Sequence, residues 1–238
     1  MKHHNVWYWI SVCVLALSLF LLPGCSKPDT GGKQPGNPQQ VSDIFNIDAK
    51  GKPYVVLNGN RPVFDEGMLR LTEAEYYSPL DGLGRCGPAY AVITPKIMPP
   101  PGEKRGKIGM VKPSGWQTKR YDDLIKDKYL YNRCHLIGWQ LGAENANPLN
   151  LITGTRYLNV EGMLPFENRV ADYVTRTRKP VLYRVVPVFK DEELVVRGVT
   201  MEAYSLADHG KQVCFYVYVP NVQPGIVIDY KTGKSHRA

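Results

Sequence analysis

The sequence predicts an α+β fold, because one amphipathic helix is followed by a group of strands. Four apolar residues recur at helical spacing: Phe166, Val170, Tyr173 and Val174. Three runs rich in β-branched and aromatic residues then follow between turn residues: 181–186, 194–199 and 213–219. Such runs are typical of antiparallel strands. Strands grouped after a helix, rather than alternating with helices, favour α+β over α/β.

The remaining elements are shorter. Pro165 suits a first helical turn and Glu167 suits a helix N-terminus, so the predicted helix begins near residue 165. Residues 157–159 are expected to form a short preceding helix, with Gly162 marking the break. In the first half, proline- and glycine-rich segments separate short pieces, of which 54–57 and 108–112 are predicted strands. The apolar run 89–93 is assigned neither to a helix nor to a strand.

The chain divides into three parts. Residues 6–22 form a mostly apolar run, followed by Leu22-Pro23-Gly24-Cys25, which resembles a bacterial lipoprotein signal. On this hypothesis residues 1–24 are a signal peptide, and residues 25–43 are a lipidated cysteine and a polar tether. The protein would then be exported and lipid-anchored in the bacterial cell envelope, at the outer membrane or cell surface. An uncleaved transmembrane anchor is the alternative. Residues 44–238 have the size of one domain.

Charge and cysteine content restrict the partners and the chemistry. Removal of residues 1–24 takes away Lys2 and no acid, so the formal charge of +8 becomes +7. This balance favours polyanions. Cys86, Cys134 and Cys214 allow one disulfide and one free thiol. If Cys134 and His135 lie on a strand, their side chains point to opposite faces and cannot form a nucleophile and base pair.

His135 is the best candidate for imidazole-dependent chemistry. Two of the five histidines lie in the leader, His209 lies in a polar turn, and His236 is near the C-terminus. Arg133 precedes His135, and four asparagines follow it: Asn145, Asn147, Asn150 and Asn159. This set suits a phosphodiester substrate: an imidazole can take a proton, a guanidinium can bind the phosphate charge, and an amide oxygen can bind a hard cation. From the residue types alone, however, a buried structural histidine is the favoured interpretation.

Three segments in this order resemble one known family: 132–138, 147–159 and 162–168. They are similar to the DNA/RNA non-specific endonucleases of the ββα-metal (His-Me finger) superfamily, and especially to the secreted streptococcal-type DNases. The resemblance covers most of residues 44–238. It implies a ββα-metal nuclease fold with a central antiparallel sheet and flanking helices.

The resemblance also implies a role for each matched residue. His135 would be the general base, and Arg133 would contact the phosphate. Asn150 would orient His135 or the scissile phosphate. Asn159 would bind Mg²⁺, with Mn²⁺ as a substitute, and Glu167 would hold a metal-bound water.

Two positions depart from the usual Asp-Arg-Gly-His motif of the family. The acid is replaced by Asn132, which we expect to leave His135 titrating at lower pH, because a neighbouring negative charge raises a histidine pKa. The glycine is replaced by Cys134, which either bonds to Cys86 or remains a buried free thiol.

The implied activity is sequence-non-specific hydrolysis of DNA to 5′-phosphate products, with RNA chemically admissible because the attack uses no 2′ hydroxyl. The alternative is a lipid-anchored nucleic-acid receptor without turnover. A pure binder needs neither a base nor a metal site, so the presence of His135, Asn159 and Glu167 together favours the enzyme.

Overall fold

A six-stranded antiparallel sheet forms the centre of the computed structural model, which describes Ile44 and residues 49–238. The strands with described bounds are β1 (Val55–Val56), β2 (Glu75–Tyr77), β3 (Ala89–Ile93), β4 (Tyr131–His135), β5 (Leu151–Thr155), β6 (Val181–Val188), β7 (Gly198–Ser205), β8 (Cys214–Pro220), β9 (Ile226–Ile228) and β10 (Ser235–Arg237). The central sheet has the order β1-β8-β7-β6-β3-β2. Strands β4 and β5 form a separate antiparallel pair, as do β9 and β10.

The helices with described bounds are α1 (Glu66–Leu69), α2 (Trp139–Gly142) and α3 (Leu164–Thr177). Short 3-10 turns occur at Asn58–Asn60 and Pro148–Asn150, and a π-helical segment occupies Leu158–Met163. The predicted α+β class is confirmed. The run 89–93, which the sequence left unassigned, is strand β3.

Helix α3 covers one face of the sheet. Val170, Tyr173 and Val174 are buried, as their helical spacing predicts, and they join the core that lines this face. Phe166 packs against Phe215 of β8, with ring centroids 4.9 Å apart. The helix ends at Arg178, which has a left-handed backbone conformation and whose N–H donates to the carbonyl of Val174. Hydrophobic burial therefore fixes the position of the helix against the sheet.

The other face of the sheet contains a buried ion pair. Arg184 of β6 lies directly opposite Glu202 of β7, and both side chains are 3% exposed. The backbone N–H of Val63 donates to Glu202 at 2.8 Å, and the ring of Phe64 lies against the Arg184 guanidinium. The segment that leads into α1 thus covers this face. A buried charge needs such partners, because an unpaired one would be very unfavourable.

The β4–β5 pair and α3 position the candidate site. His135 is the last residue of β4 and pairs with Leu151 of β5. The π-helical segment follows β5 and runs directly into α3. Gly162 lies within that segment, and a Cβ atom there would clash with the Val219 side chain. The prediction that Gly162 breaks the helix is therefore wrong, because the glycine instead permits close packing on β8.

Two predicted strands are also wrong. Residues 108–112 form a turn, in which Met110 is 70% exposed. In the run 194–199, strand β7 begins only at Gly198. Val195 and Val196 are buried, but the N–H of Val195 bonds to Tyr230 rather than to a sheet neighbour. The run has the composition of a strand because its side chains are buried, but its backbone does not form the hydrogen bonds of a sheet.

The three described cysteines are free. The buried thiol of Cys86 donates to the carbonyl of Leu151 at 3.2 Å. Cys134 is fully buried and faces Gly154, where a Cβ atom would be too close to the Cys134 side chain. Of the two alternatives, the structure therefore contains the buried free thiol rather than a bridge.

The predicted signal and tether, residues 1–43, lie outside the described residues. Within the part of the chain that the structure describes, no helix combines the length and apolar character needed to cross a bilayer.

Candidate active site

The ring of His135 is held by one acceptor and one donor. Its Nε2 lies 2.8 Å from the carbonyl oxygen of Asn145, and its Nδ1 lies 3.1 Å from an Nη2 of Arg105. A carbonyl can only accept and a guanidinium can only donate, so the proton is assigned to Nε2 and the lone pair to Nδ1. This tautomer presents Nδ1 as the basic atom.

The same surroundings keep His135 neutral. Its side chain is 6% exposed, and burial lowers its pKa to about 4, with the charge of Arg105 as a further lowering cause. The hydrogen bond to Asn145 acts in the opposite direction. Asn132 is not among the causes of this shift. Burial and Arg105 thus lower the pKa of His135, and the effect that we expect from a neutral residue at position 132 stays a prediction.

Asn150 holds the backbone that follows His135. Its side chain is fully buried, its Oδ1 accepts from Ile137 N at 2.8 Å, and its Nδ2 donates to Ile137 O at 3.0 Å. Its own carbonyl accepts from Leu136 N. Both side-chain polar atoms are engaged with Ile137, so Asn150 is a positioning residue for the end of β4 rather than a group that touches the reacting atoms.

Arg133 is engaged with a loop. Its Nε donates to the carbonyl of Val111 and its Nη2 to that of Gly109 at 2.9 Å. The guanidinium lies over the ring of Trp116, 3.9 Å from the centroid. These contacts engage Nε and Nη2, which form one of the two edges that an arginine can present to a phosphate, and they hold the 109–116 segment against β4.

Asn159 projects from the π-helical segment, and its amide is oriented by Asn132. The Nδ2 of Asn159 donates to Oδ1 of Asn132 at 3.2 Å. With the nitrogen engaged, the carbonyl oxygen of Asn159 is the atom left to bind a cation. An amide oxygen is a suitable ligand for Mg²⁺, which retains several of its waters in protein sites.

Glu167 lies in the first turn of α3 and is partly buried. Burial raises the pKa of its carboxyl group to about 7, although a hydrogen bond with Gln140 and the charge of Arg105 oppose this. Gly138 makes room for it, because a Cβ atom at that position would stand 2.8 Å from the Glu167 carboxyl carbon. A neighbouring cation would strongly stabilise the charged form of such a desolvated carboxylate.

These residues meet around one cavity of about 190 Å³. Its lining includes Arg105, Arg133, His135, Gly138, Asn159 and Glu167. Among the described residues no three His, Cys, Asp or Glu side chains cluster as a metal site. A cation here would therefore be held by the Asn159 oxygen and by waters bound to Glu167, which fits a hard ion such as Mg²⁺ better than a closed zinc site.

Arg105 was missed in the sequence. It lies 30 residues before His135, in a basic run (104–107) that follows Pro-Pro-Pro-Gly. The loop passes close to Asn145, since a Cβ atom on Gly106 would be 2.6 Å from Asn145 Nδ2. The feature of the sequence that could have indicated Arg105 is the cluster of positive charge beside a proline-rich turn. By itself, such a cluster is typical of any exposed loop.

The chain and its fold match known nucleases. A family model described as DNA/RNA non-specific endonuclease matches residues 66–207. A deoxyribonuclease of Streptococcus dysgalactiae subsp. equisimilis is 27% identical over 230 residues, covering 79% of this chain and 69% of the relative. The chain belongs to the DNA/RNA non-specific endonuclease family, and it is therefore a nuclease.

Two solved structures agree with this assignment. NucA from Streptococcus agalactiae, with a magnesium ion bound, has a TM-score of 0.68 at 22% identity, covering 85% of this chain and 97% of that one. The Sda1 nuclease, with a bound zinc ion, has a TM-score of 0.60 at 30% identity, covering 69% and 81% respectively. The ββα-metal nuclease fold predicted from the motifs is confirmed.

Proposed function

We propose that this protein is a metal-dependent, sequence-non-specific endonuclease that hydrolyses DNA, and also RNA, to 5′-phosphate products. The observation that carries the proposal is the position of His135. Its unprotonated Nδ1 belongs to the same small cavity as Asn159 and Glu167. A general base and a cation site side by side are what metal-assisted phosphodiester hydrolysis requires.

His135 acts as the base. Nδ1 accepts a proton from water, and the resulting hydroxide attacks the phosphorus in line with the departing 3′ oxygen. The bond from Nε2 to the Asn145 carbonyl keeps the ring oriented and stabilises the imidazolium that forms. The departing 3′ oxygen takes a proton from solvent, His135 later returns its own proton to solvent, and the 5′ oxygen of the next nucleotide keeps the phosphate.

Arg105 is the guanidinium best placed to meet the phosphate. It donates to the lone pair that the attacking water needs, so the arginine and the water compete for Nδ1. Its side chain is exposed, and it can move from the imidazole to a phosphate oxygen when substrate enters. There it stabilises the additional negative charge of the transition state.

Asn159 and Glu167 hold the cation, Mg²⁺ or Mn²⁺. When bound, the ion supplies positive charge to the phosphate and to the departing oxygen. Asn159 binds through its carbonyl oxygen because Asn132 holds its nitrogen. Glu167 would orient a water of the ion, and the positive charge would favour the carboxylate form of its side chain.

The substrate class follows from these contacts. The groups in the small cavity bind the phosphate and its charge, which are the same for every base. Cleavage is therefore expected at any sequence. The attacking group is water, so a 2′ hydroxyl is unnecessary and both DNA and RNA are substrates. The deoxyribonuclease relative supports DNA as the main substrate.

The test is an initial-rate assay of the full-length protein on plasmid DNA and on RNA, with Mg²⁺, with Mn²⁺ and with a chelator. His135→Ala should lose about 10²- to 10⁴-fold, the usual contribution of a general base. His236→Ala, a change at an exposed histidine, is the matched control and should retain wild-type rates. Intact DNA and RNA under all metal conditions would contradict the enzyme and favour a nucleic-acid receptor without turnover.

We also propose that the protein is exported and anchored to the bacterial cell envelope through a lipidated Cys25. The support is the apolar run 6–22, the Leu22–Cys25 sequence and the polar residues 26–43. The Cys25→Ala variant should leave the membrane fraction or accumulate as an unprocessed precursor of higher mass. Wild-type mass and membrane content in that variant would contradict lipidation.

A further inference from the structure

A larger cavity of about 560 Å³ adjoins the candidate active site. Arg105, Arg133 and Asn159 line both cavities, so the larger one begins where the scissile phosphate would lie. Its volume falls in the range of about 300 to 1,000 Å³ that is usual for ligand sites. The small cavity has room for the reacting phosphate and the cation, so the larger one is available to a neighbouring part of the substrate.

Arg133 and Trp116 form a flat platform in the wall of this cavity. The guanidinium plane of Arg133 is fixed along one edge, where Nε donates to the carbonyl of Val111 and Nη2 to that of Gly109. One face of that plane lies against the Trp116 ring at 3.9 Å. That edge and one face are occupied, and the other face of the plane is the flat surface that Arg133 can offer to a ligand. Planar guanidinium groups and aromatic rings are the surfaces on which unpaired bases stack.

The other walls add rings and positive charge. Tyr129 is 46% exposed, whereas Tyr131 is only 3% exposed and is fixed by a hydrogen bond from its hydroxyl to the carbonyl of Gly233. Arg156 contributes a third guanidinium, which is also paired with Asp127. Three arginines and no carboxylate line the cavity. Rings together with guanidinium groups suit a ligand that carries both a π face and a phosphate, which is the chemistry of a nucleotide.

We infer that this cavity binds one unpaired nucleotide next to the scissile phosphate, with its base stacked on the Arg133–Trp116 platform. This inference rests on the proposed nuclease function and specifies its substrate. A base can reach the platform only after leaving a duplex stack, which costs a few kcal/mol. The preferred substrates are therefore single strands and locally opened duplexes. The contact is with the face of the base, so cleavage stays independent of sequence.

The test uses single-stranded oligonucleotides in which one base is removed to leave an abasic sugar. The full-length wild-type protein should cut them normally except at one bond in a fixed register with the abasic position. At that bond kcat/KM should fall about 5- to 150-fold, which is the range expected for stacking of one base. Equal cleavage, within twofold, at every bond near the abasic sugar would overturn the inference and leave the nuclease function intact. No cleavage of the unmodified strand would instead contradict the nuclease function itself.

Two variants connect the effect to the platform. Arg133→Lys keeps the charge and removes the plane, so it should cut intact strands more slowly and lose the discrimination against the abasic position. Trp116→Leu should do the same if its melting temperature shows that it folds. Tyr76→Leu, a change at a half-exposed ring on the opposite sheet face, is the matched control and should keep the discrimination. Discrimination retained in Arg133→Lys would show that Arg133 supplies charge to a phosphate rather than a stacking surface.

Discussion

The side chain of Asn159 is tied to that of Asn132, with the Asn159 amide nitrogen 3.2 Å from the Asn132 oxygen. This bond engages the amide nitrogen and leaves the carbonyl oxygen of Asn159 as the atom that can bind a cation. The first residue of the motif thus contacts the candidate metal ligand, while His135 is held by Arg105 and Asn145. An acceptor is needed at residue 132, and either an amide or a carboxylate supplies one.

Replacing Asn132 by leucine should therefore weaken cation binding. Loss of one neutral hydrogen bond is worth about 0.5 to 1.5 kcal/mol, so the Mg²⁺ concentration for half-maximal rate should rise roughly 2- to 13-fold. Asn132→Asp keeps an acceptor and adds negative charge, so it should bind Mg²⁺ at least as well as wild type. Both values come from Mg²⁺ titrations of the initial rate, with Mn²⁺-induced thermal stabilisation as a second readout. Weaker binding by Asn132→Asp than by Asn132→Leu would show that the hydrogen bond does not orient Asn159.

Gly138→Ala should displace Glu167 without unfolding the protein. The added Cβ would stand 2.8 Å from the carboxyl group, which is the mobile end of its side chain, and Gly138 has an ordinary negative φ of −55°. We expect a loss of activity of at least tenfold, with a melting temperature within a few degrees of wild type. The control is Gly82→Ala, since a Cβ atom there meets nothing within 4 Å. Full activity in Gly138→Ala would remove Glu167 from the cation site.

Arg105→Ala should raise the pKa of His135. The positive charge of Arg105 disfavours the imidazolium, so its removal shifts the pKa upward from about 4, while burial keeps it below its ordinary value of about 6.5. An NMR titration of the metal-free protein measures this directly. Arg105→Lys keeps the charge and should leave the pKa lower than in Arg105→Ala. A downward shift in Arg105→Ala would mean that the arginine does not act on His135 through its charge.

Glu167→Gln should stabilise the metal-free protein at alkaline pH. The folded-state pKa of about 7 lies above the ordinary 4.5, so below pH 4.5 the carboxyl group is protonated in both states. As pH rises from 4.5 through 7, the unfolded state ionises first and wild type loses stability. Glutamine stays neutral, so the variant should exceed wild type by about 1 to 3 kcal/mol at pH 8 and match it near pH 4.

Urea unfolding with a chelator at the two pH values checks this expectation. Glu161→Gln, a change at an exposed acid in the π-helical segment, serves as the control and should show no such difference. Added Mg²⁺ should stabilise wild type but not Glu167→Gln. A variant less stable than wild type at pH 8 in the absence of metal would contradict the desolvation of Glu167.

Local patterns in the sequence determined most of the fold class and the first candidates for the site. The stripe of Val170, Tyr173 and Val174 identified α3 and its buried face, because helical spacing depends only on neighbours along the chain. The run 194–197 was misassigned, because β-branched composition reports burial and does not report which backbone groups pair. Strand pairing is a relation between distant segments.

By itself, the sequence determined that His135, Asn159 and Glu167 were the residues to consider, since residue type and order are local information. Only the tertiary structure decided their partners. In the structure, Arg105 contacts His135, which lies 30 residues further along the chain, and Asn132 is hydrogen-bonded to Asn159. Arg133, which the sequence assigned to the phosphate, lies against Trp116. The physical reason is that a hydrogen bond or a stacked pair depends on distances of a few ångströms, which the path of the loops sets and which no spacing along the chain encodes.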